Sequence, residues 1–288
     1  MKLTIPRIPF LGSSNSRTPK AIVLGAPLDV TETFHGGTGR GPERIRAVSD
    51  VLETYNPRLN RDLDDLSLTD WGDVDCSDGD VAAALDRIAD AIERACAAAL
   101  PVLVGGEHTA TVGAVRGALR RYPDLHVIQL DAHADLRDHY DGQRLSHATV
   151  MRRIAEEIGF EHICQCGIRS GTREEFELAN RCLVSGPDLR LPTEAADRIG
   201  TAPVYLTIDI DVLDPSCAPG TGCPEPGGPT FAELWSFIAS LKDVNVVAVD
   251  IMEVLPDADV NDITSIAAAK LARDIVLLFA SSAFRVPR

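Results

Sequence analysis

Basic charge is scarce in this 288-residue chain. Only 28 Lys and Arg, four of them Lys, stand against 43 Asp and Glu, for a formal charge of −15. A nucleic-acid binder needs clustered Lys and Arg to neutralise phosphate, so that class is excluded. Docking on an anionic membrane surface is disfavoured for the same reason. A surface of this sign suits a cationic small molecule or divalent metal ions, although a salt-adapted source would produce the same bias without any function. No apolar stretch approaches the roughly 20 residues of a membrane-spanning helix. The opening MKLTIPRIPF carries two prolines and an arginine where a signal peptide has its apolar run, so no secretion signal is expected. The seven cysteines are odd in number and contain no C-x-x-C pair. That removes a disulfide framework and a cysteine zinc site, and leaves reduced, buried thiols in a cytoplasmic protein as the expectation.

No linker, repeat or low-complexity tract interrupts the chain either, which reads as a single domain over residues 1–288. Apolar runs of strand length occur at Ala21–Gly25, Val102–Gly105, His126–Asp131, Ile163–Gly167, Val204–Asp209 and Val246–Ile251. They are rich in Val, Ile and Leu on both pleat faces, as expected of strands buried in a parallel sheet. Helical patterns lie between them. Leu85, Ile88 and Ile92 share one face of Gly79–Ala98, and Phe231, Leu234, Trp235, Ile238 and Leu241 follow helical spacing behind Thr230, with Glu233 completing a capping box. Strand–helix alternation of this kind predicts an α/β fold, a three-layer α/β/α sandwich with a mainly parallel sheet.

In such sheets ligands bind beyond the carboxyl ends of the strands. Gly105-Gly-Glu-His108 follows one strand, Asp131-Ala-His133-Ala-Asp135 the next, and Asp209-Ile-Asp211 a later one. With the period of two continued past the strand end, these side chains point one way and converge. Carboxylates crowded together repel and resist ionisation, a conflict that cations resolve. Two His and four Asp complete two sites when some carboxylates bridge. Oxygen donors mixed with imidazole suit Mn²⁺, and Co²⁺, Ni²⁺ or Zn²⁺ fit the same donors. Taken singly, His108 reads as a turn residue and Asp209-x-Asp211 as a helix cap. Three such motifs at successive strand ends favour a metal centre.

These motifs, with Gly36-Gly-Thr-Gly-Arg-Gly-Pro-Glu-Arg-Ile-Arg46 near the start and Asp214-Pro then Ala218-Pro-Gly-Thr-Gly222 after the last, resemble the ureohydrolases, the family of arginases, agmatinases and related amidinohydrolases. The resemblance covers nearly the whole chain. It implies one metal on His108, Asp131, Asp135 and Asp209, and another on His133, Asp131, Asp209 and Asp211, typically about 3.5–4 Å apart and sharing an activated water. It further implies that Asp135 orients that water and that His147, in Ser146-His-Ala-Thr149, is the proton shuttle for the departing amine. Glu253, in Asp250-Ile-Met-Glu253, would pair with the guanidinium and so help bind the substrate, as would His147. A homo-oligomer, trimer or hexamer, is the family's habit.

The loop Leu136–Ser146 and the stretch through Met151-Arg-Arg153 are similar to agmatinases, and Asp138 and Asp141 would suit a substrate ending in an amine. Agmatine, hydrolysed to urea and putrescine with two Mn²⁺, is therefore the expected guanidino substrate. Arg137 and Arg144 in the same loop would instead suit a carboxylate, as in guanidinobutyrate; arginine and formimino compounds are further alternatives. A non-enzymatic guanidino binder on the same fold is disfavoured, since binding alone needs no proton shuttle. Glu107 and Cys223 stand where many relatives have Asp and Thr, and should adjust positioning. Arg169 and Arg173 read as structural. His139 reads as surface or as substrate entrance, and Asp29 and His35 have no assigned role. His126 and His162 flank strands, and Cys164 and Cys166 read as small hydrophobes.

Overall fold

The computed structural model describes residues 3–14 and 16–280. Its strands are β1 (Leu3–Thr4), β2 (Ala21–Ala26), β3 (Tyr55–Asn56), β4 (Arg61–Asp62), β5 (Leu68–Val74), β6 (Leu100–Gly105), β7 (His126–Leu130), β8 (Ile163–Cys166), β9 (Val184–Gly186), β10 (Val204–Asp209) and β11 (Val246–Met252). Its helices are α1 (Gly41–Ser49), α2 (Val81–Ala98), α3 (Ala110–Leu119), α4 (Val150–Ile158), α5 (Arg173–Ala179), α6 (Thr193–Ile199), α7 (Phe231–Ser240) and α8 (Ile263–Phe279). All six expected strands form, Val204–Asp209 with the expected ends and the other five with one end moved by one or two residues. The helix expected behind Thr230 forms with its capping box: the Glu233 amide donates to Thr230 Oγ1 at 3.3 Å and the Thr230 amide to Glu233 Oε2 at 2.8 Å.

Nine strands build one sheet in the order β1-β5-β2-β6-β11-β10-β7-β8-β9, while β3 and β4 pair as a separate hairpin. Every pairing in the large sheet is parallel except β1 on β5. Each residue of β2, β6, β10 and β11 is buried, which is why these strands read as unbroken apolar runs. Their side chains divide by parity: Ala21 and Val23 belong to the core layer that includes Ile45 of α1, Ile199 of α6, Leu234 of α7 and Ile275 of α8. Ile22 and Leu24 belong to the opposite core layer, with Ile88 of α2, Val115 of α3, Ile154 of α4 and Ala179 of α5. The result is the three-layer α/β/α sandwich.

Strands β1, β5 and β9, the β3–β4 hairpin and helix α8 are among the elements outside the expected pattern. Strand β5 contains Asp70 and Asp73, whose carboxylates receive the buried Arg46 guanidinium at 2.8 and 2.6 Å. Helix α8 is buried on nearly all sides. The strand order then sets the stage for function. From β6 the chain crosses by way of α3 to β7, and β11 and β10 later fill the gap between them. The carboxyl ends of β6, β11, β10 and β7 are thus immediate neighbours. Register keeps them level: Val104 pairs with Ile251, Asp209 with Met252, and Ile208 with Leu130, one residue before Asp131.

Candidate metal centre

The turn after β6 is built from glycines because two strands crowd it. A Cβ on Gly105 would stand 1.8 Å from Met252 Sδ, and one on Gly106 would stand 1.9 Å from the Leu28 carbonyl oxygen. This close approach delivers His108 to the sheet edge fully buried. Beyond β7 the chain bends at Ala132, Asp131 Oδ1 accepting from the His133 amide at 2.6 Å, and His133 then makes an isolated parallel bridge to Ser170. Asp131 and His133 reach one cluster through this turn, not through the continued strand that a period of two predicts. Asp209-x-Asp211 is assembled differently from the expected strand extension. Residues Ile210–Val212 form a 3₁₀ turn whose N-cap is Asp209, its Oδ1 accepting from the Asp211 amide at 2.9 Å. Asp135 and Glu253 both adopt left-handed backbone, φ 53° and 67°. Such a conformation costs a non-glycine residue about 1–3 kcal/mol and is characteristic of functional sites.

The convergence is tight. His108 Nδ1 lies 3.1 Å from Asp131 Oδ2, 3.2 Å from Asp135 Oδ2 and 3.4 Å from Asp209 Oδ2. His133 Nδ1 lies 2.8 Å from Asp211 Oδ2 and 3.8 Å from Asp131 Oδ1. Two groups that could hold a metal ion result, His108–Asp131–Asp209 and Asp131–His133–Asp211, with Asp131 common to both. Asp135 sits beside the first group, and Asp209 reaches the second through the Asp211 amide.

The donors fit divalent cations. His108 Nδ1 is buried and near three carboxylates, yet it makes no aligned hydrogen bond. Its other nitrogen, Nε2, is 2.9 Å from Thr207 Oγ1, which suits a proton on Nε2 and a lone pair on Nδ1 directed at the carboxylates. In the absence of cations, protons take their place. Burial, then Asp135 and Asp211, push Asp131 up to about 7. Burial, then Asp211 and Asp131, raise Asp209 well above the carboxylate range. Burial opposes charge on His133 too, but Asp211 and Asp131 outweigh it and raise the ring to about 10. Burial likewise opposes charge on His108, and Asp131 and Asp135 outweigh it. Asp211, despite burial, is held below its ordinary value by His133.

The clusters open into a cleft of about 240 Å³ whose lining includes His147, Glu253, Tyr140, Arg137 and Cys223. Glu253 Oε1 accepts from the His108 amide at 2.6 Å, and burial followed by Glu32 keeps its carboxyl well above the normal range. A cation entering beside it would reverse that shift. The His147 ring has Nε2 3.4 Å from Thr33 Oγ1 and stands edge-on to Tyr140, centroids 5.6 Å apart. Cys223 is a protonated thiol, pushed up to about 12 by burial.

The remaining candidates sort by position. Asp138 turns from the cleft to Arg153 at 2.7 Å and Arg144 at 3.3 Å, with His139 against it at 2.9 Å, and Asp141 is exposed. Arg137 instead lines the cleft, over the Tyr140 ring at 4.5 Å with Nε 3.3 Å from Glu175 Oε2. Arg169 is structural, donating to the carbonyls of Gly167, Asp211, Val212 and Glu225. Asp29 and His35 are exposed, as is Arg173 at the start of α5. His126 and His162 contact each other edge-on, and Cys164 and Cys166 are buried thiols. Residues beyond the motifs also serve the site. Gln129 Nε2 donates to Asp131 Oδ2 at 2.7 Å and is itself held by Gln165 Nε2 at 2.7 Å. Extending the period of two backwards from Asp131 would have found Gln129; no spacing signal marks Thr31, Thr33 or Tyr140.

Known proteins give the same picture. The Arginase family model matches residues 19–278. The agmatinase of Bacillus subtilis is 41% identical over 265 residues, covering 90% of this chain and 91% of its own. A guanidinobutyrase of Pseudomonas aeruginosa is 31% identical over 290 residues, covering 95% and 91%. The crystal structure of the agmatine ureohydrolase of Thermoplasma volcanium superimposes with a TM-score of 0.83 at 31% identity, covering 95% of this chain and 94% of that one. With a family match that takes in the sheet and every strand end carrying the His and Asp clusters, this chain belongs to the arginase family.

Proposed function

We propose that the chain hydrolyses agmatine to urea and putrescine, as one catalytic domain over residues 1–288. The observation that carries this reading is the cleft, where two His and three Asp from three strand ends, joined by the buried Asp131 common to both clusters, line the walls together with Glu253 from a fourth. His108, Asp131, Asp135 and Asp209 would hold one divalent ion, and His133, Asp131, Asp209 and Asp211 a second, with Mn²⁺ suited to these mixed donors. Bound there, the two ions would supply an acidified water and neutralise developing negative charge. Glu253, one oxygen fixed by the His108 amide, presents the other to the guanidinium and sets its carbon over the clusters. His147 donates a proton through Nε2 to the departing amine, which otherwise leaves poorly. Asp135 orients the attacking water.

Agmatine as substrate is supported by the Bacillus relative and by the −15 charge, whose field draws in dications. One observation favours a second reading, a guanidino acid: the Arg137 guanidinium lies on the cleft wall, and one relative is a guanidinobutyrase. A homo-oligomer, trimer or hexamer, and residence in the cytoplasm complete the proposal. The cysteines are free, and no helix among the described residues is long and apolar enough to cross a membrane. Urea release after Mn²⁺ loading, compared across agmatine, arginine, guanidinobutyrate and guanidine, tests the assignment. A kcat/KM for agmatine below that for guanidinobutyrate would replace the first reading by the second, and no urea from any of them would end both.

A further inference from the structure

Glu107 is fully buried at the end of β6, next to His108 but aimed away from the clusters. Its Oε2 accepts from the amides of Val30 at 2.9 Å and Thr31 at 2.6 Å, and its Oε1 accepts from Thr31 Oγ1 at 3.0 Å. One carboxylate thus fastens the loop that follows β2. The Thr31 hydroxyl has a single proton, and that proton goes to Glu107. Its oxygen is therefore left to accept, and it receives the His147 amide at 3.1 Å and lies 3.1 Å from Thr109 Oγ1. His147 is the first residue of the 3₁₀ turn His147–Thr149, where backbone amides have no partner within the turn. Thr31 thus caps that turn from 116 residues away. Two residues on, Thr33 Oγ1 meets the imidazole itself at 3.4 Å.

We propose that Glu107, acting through Thr31, is the positioning element for His147: it fixes backbone and ring of the proton donor relative to the metal clusters. The inference rests on His147 being that donor. A longer acid than Asp suits the position, because the carboxylate must reach two amides and a hydroxyl in a loop beyond the sheet edge. Thr31 and Glu107 would contribute to turnover without touching substrate or metal.

The test uses Mn²⁺-loaded enzyme and the variants Thr31→Val, Thr31→Ser, Glu107→Gln and His147→Ala. Thr31→Val should lower kcat by about ten- to a hundredfold, as expected for a misplaced catalytic group, with KM and Mn²⁺ affinity within about threefold of the parent. Thr31→Ser, which keeps the hydroxyl, should recover most of that loss, and Glu107→Gln should fall between. In a His147→Ala background Thr31→Val should have no further effect, because its route of action is gone. If Thr31→Val lowered turnover by the same factor with and without His147, or if its loss followed lost Mn²⁺, the positioning role would be overturned. If His147→Ala itself kept full turnover, the failure would lie with the proton-donor reading instead. Full turnover in Thr31→Val alongside an impaired His147→Ala would refute this inference alone.

Discussion

Lowering the pH from 8 to 6 should weaken Mn²⁺ binding by at least about a thousandfold, because the ion must displace protons that the metal-free cluster holds. Asp131, pushed up to about 7 by burial and its acidic neighbours, passes from mostly ionised to mostly protonated over this interval. That contributes about one decade. His133, raised to about 10 because Asp211 and Asp131 outweigh its burial, carries its proton throughout. Each pH unit then costs about one decade at that residue, two over the interval. Asp211, held below its ordinary value, contributes nothing. Three decades correspond to about 4 kcal/mol. Calorimetry at several pH values, in buffers of different ionisation enthalpy, measures both the affinity and the protons released. At least about two protons should be released at pH 6 and at least about one at pH 8, because His108 and Asp209, both raised, give up protons as well. An affinity that moves less than tenfold, with no proton release, would refute the reasoning. Stability of the metal-free protein runs the other way. Folded-state values of about 7 and about 10 exceed the ordinary 3.8 for Asp and 6.5 for His. The stability these groups provide is therefore complete below those ordinary values and is lost as pH rises through the folded ones. The metal-free Tm should fall from pH 6 to pH 8 while the Mn²⁺-induced rise in Tm grows.

Asp209→Ala should remove metal occupancy and urea release together; elemental analysis of the purified variant reads the first, and retention of two ions would contradict the ligand assignment. Gln129→Leu removes the donor to Asp131 Oδ2 and should weaken Mn²⁺ by about 10–100-fold, the usual effect of losing a partner behind a ligand, with an unchanged Kd as the contrary result. Arg46→Met leaves Asp70 and Asp73 without their cation and should cost about 3–5 kcal/mol in urea denaturation, whereas a loss below about 1 kcal/mol would show the ion pairs to be dispensable.

The central strands were legible because burial on both faces writes itself as runs of Val, Ile and Leu, from Val102 to Gly105 and from Val204 to Ile208. Strand β5 was not, since Asp70 and Asp73 break its apolar run and their partner, Arg46, lies in a different element. Helix α8 shows no polar stripe for a periodicity to detect. The candidate ligands Asp131, His133, Asp209 and Asp211 were legible as local patterns. The structure brings them together through turns rather than a continued strand, with the Asp131 and Asp209 carboxylates accepting from the His133 and Asp211 amides. The insertion of β11 and β10 between β6 and β7 lies beyond any local pattern, because long parallel crossovers leave neighbours unspecified. Glu107 and Thr31 were illegible as a pair for the same reason: they meet across 76 residues of chain.

That strand order has a consequence for how the protein matures. His108, Asp131, Asp209 and Glu253 come from strands adjacent in space and spread over more than half the chain. No fragment shorter than β6 through β11 brings these four strand ends together, and the last two strands to be synthesised occupy the middle of the sheet rather than its edge. Metal capture is therefore an event that follows closure of the topology and reports on it. A chain arrested before β11 would lack Glu253 and the strand that sets β6 beside β10, so the four strand ends would not meet.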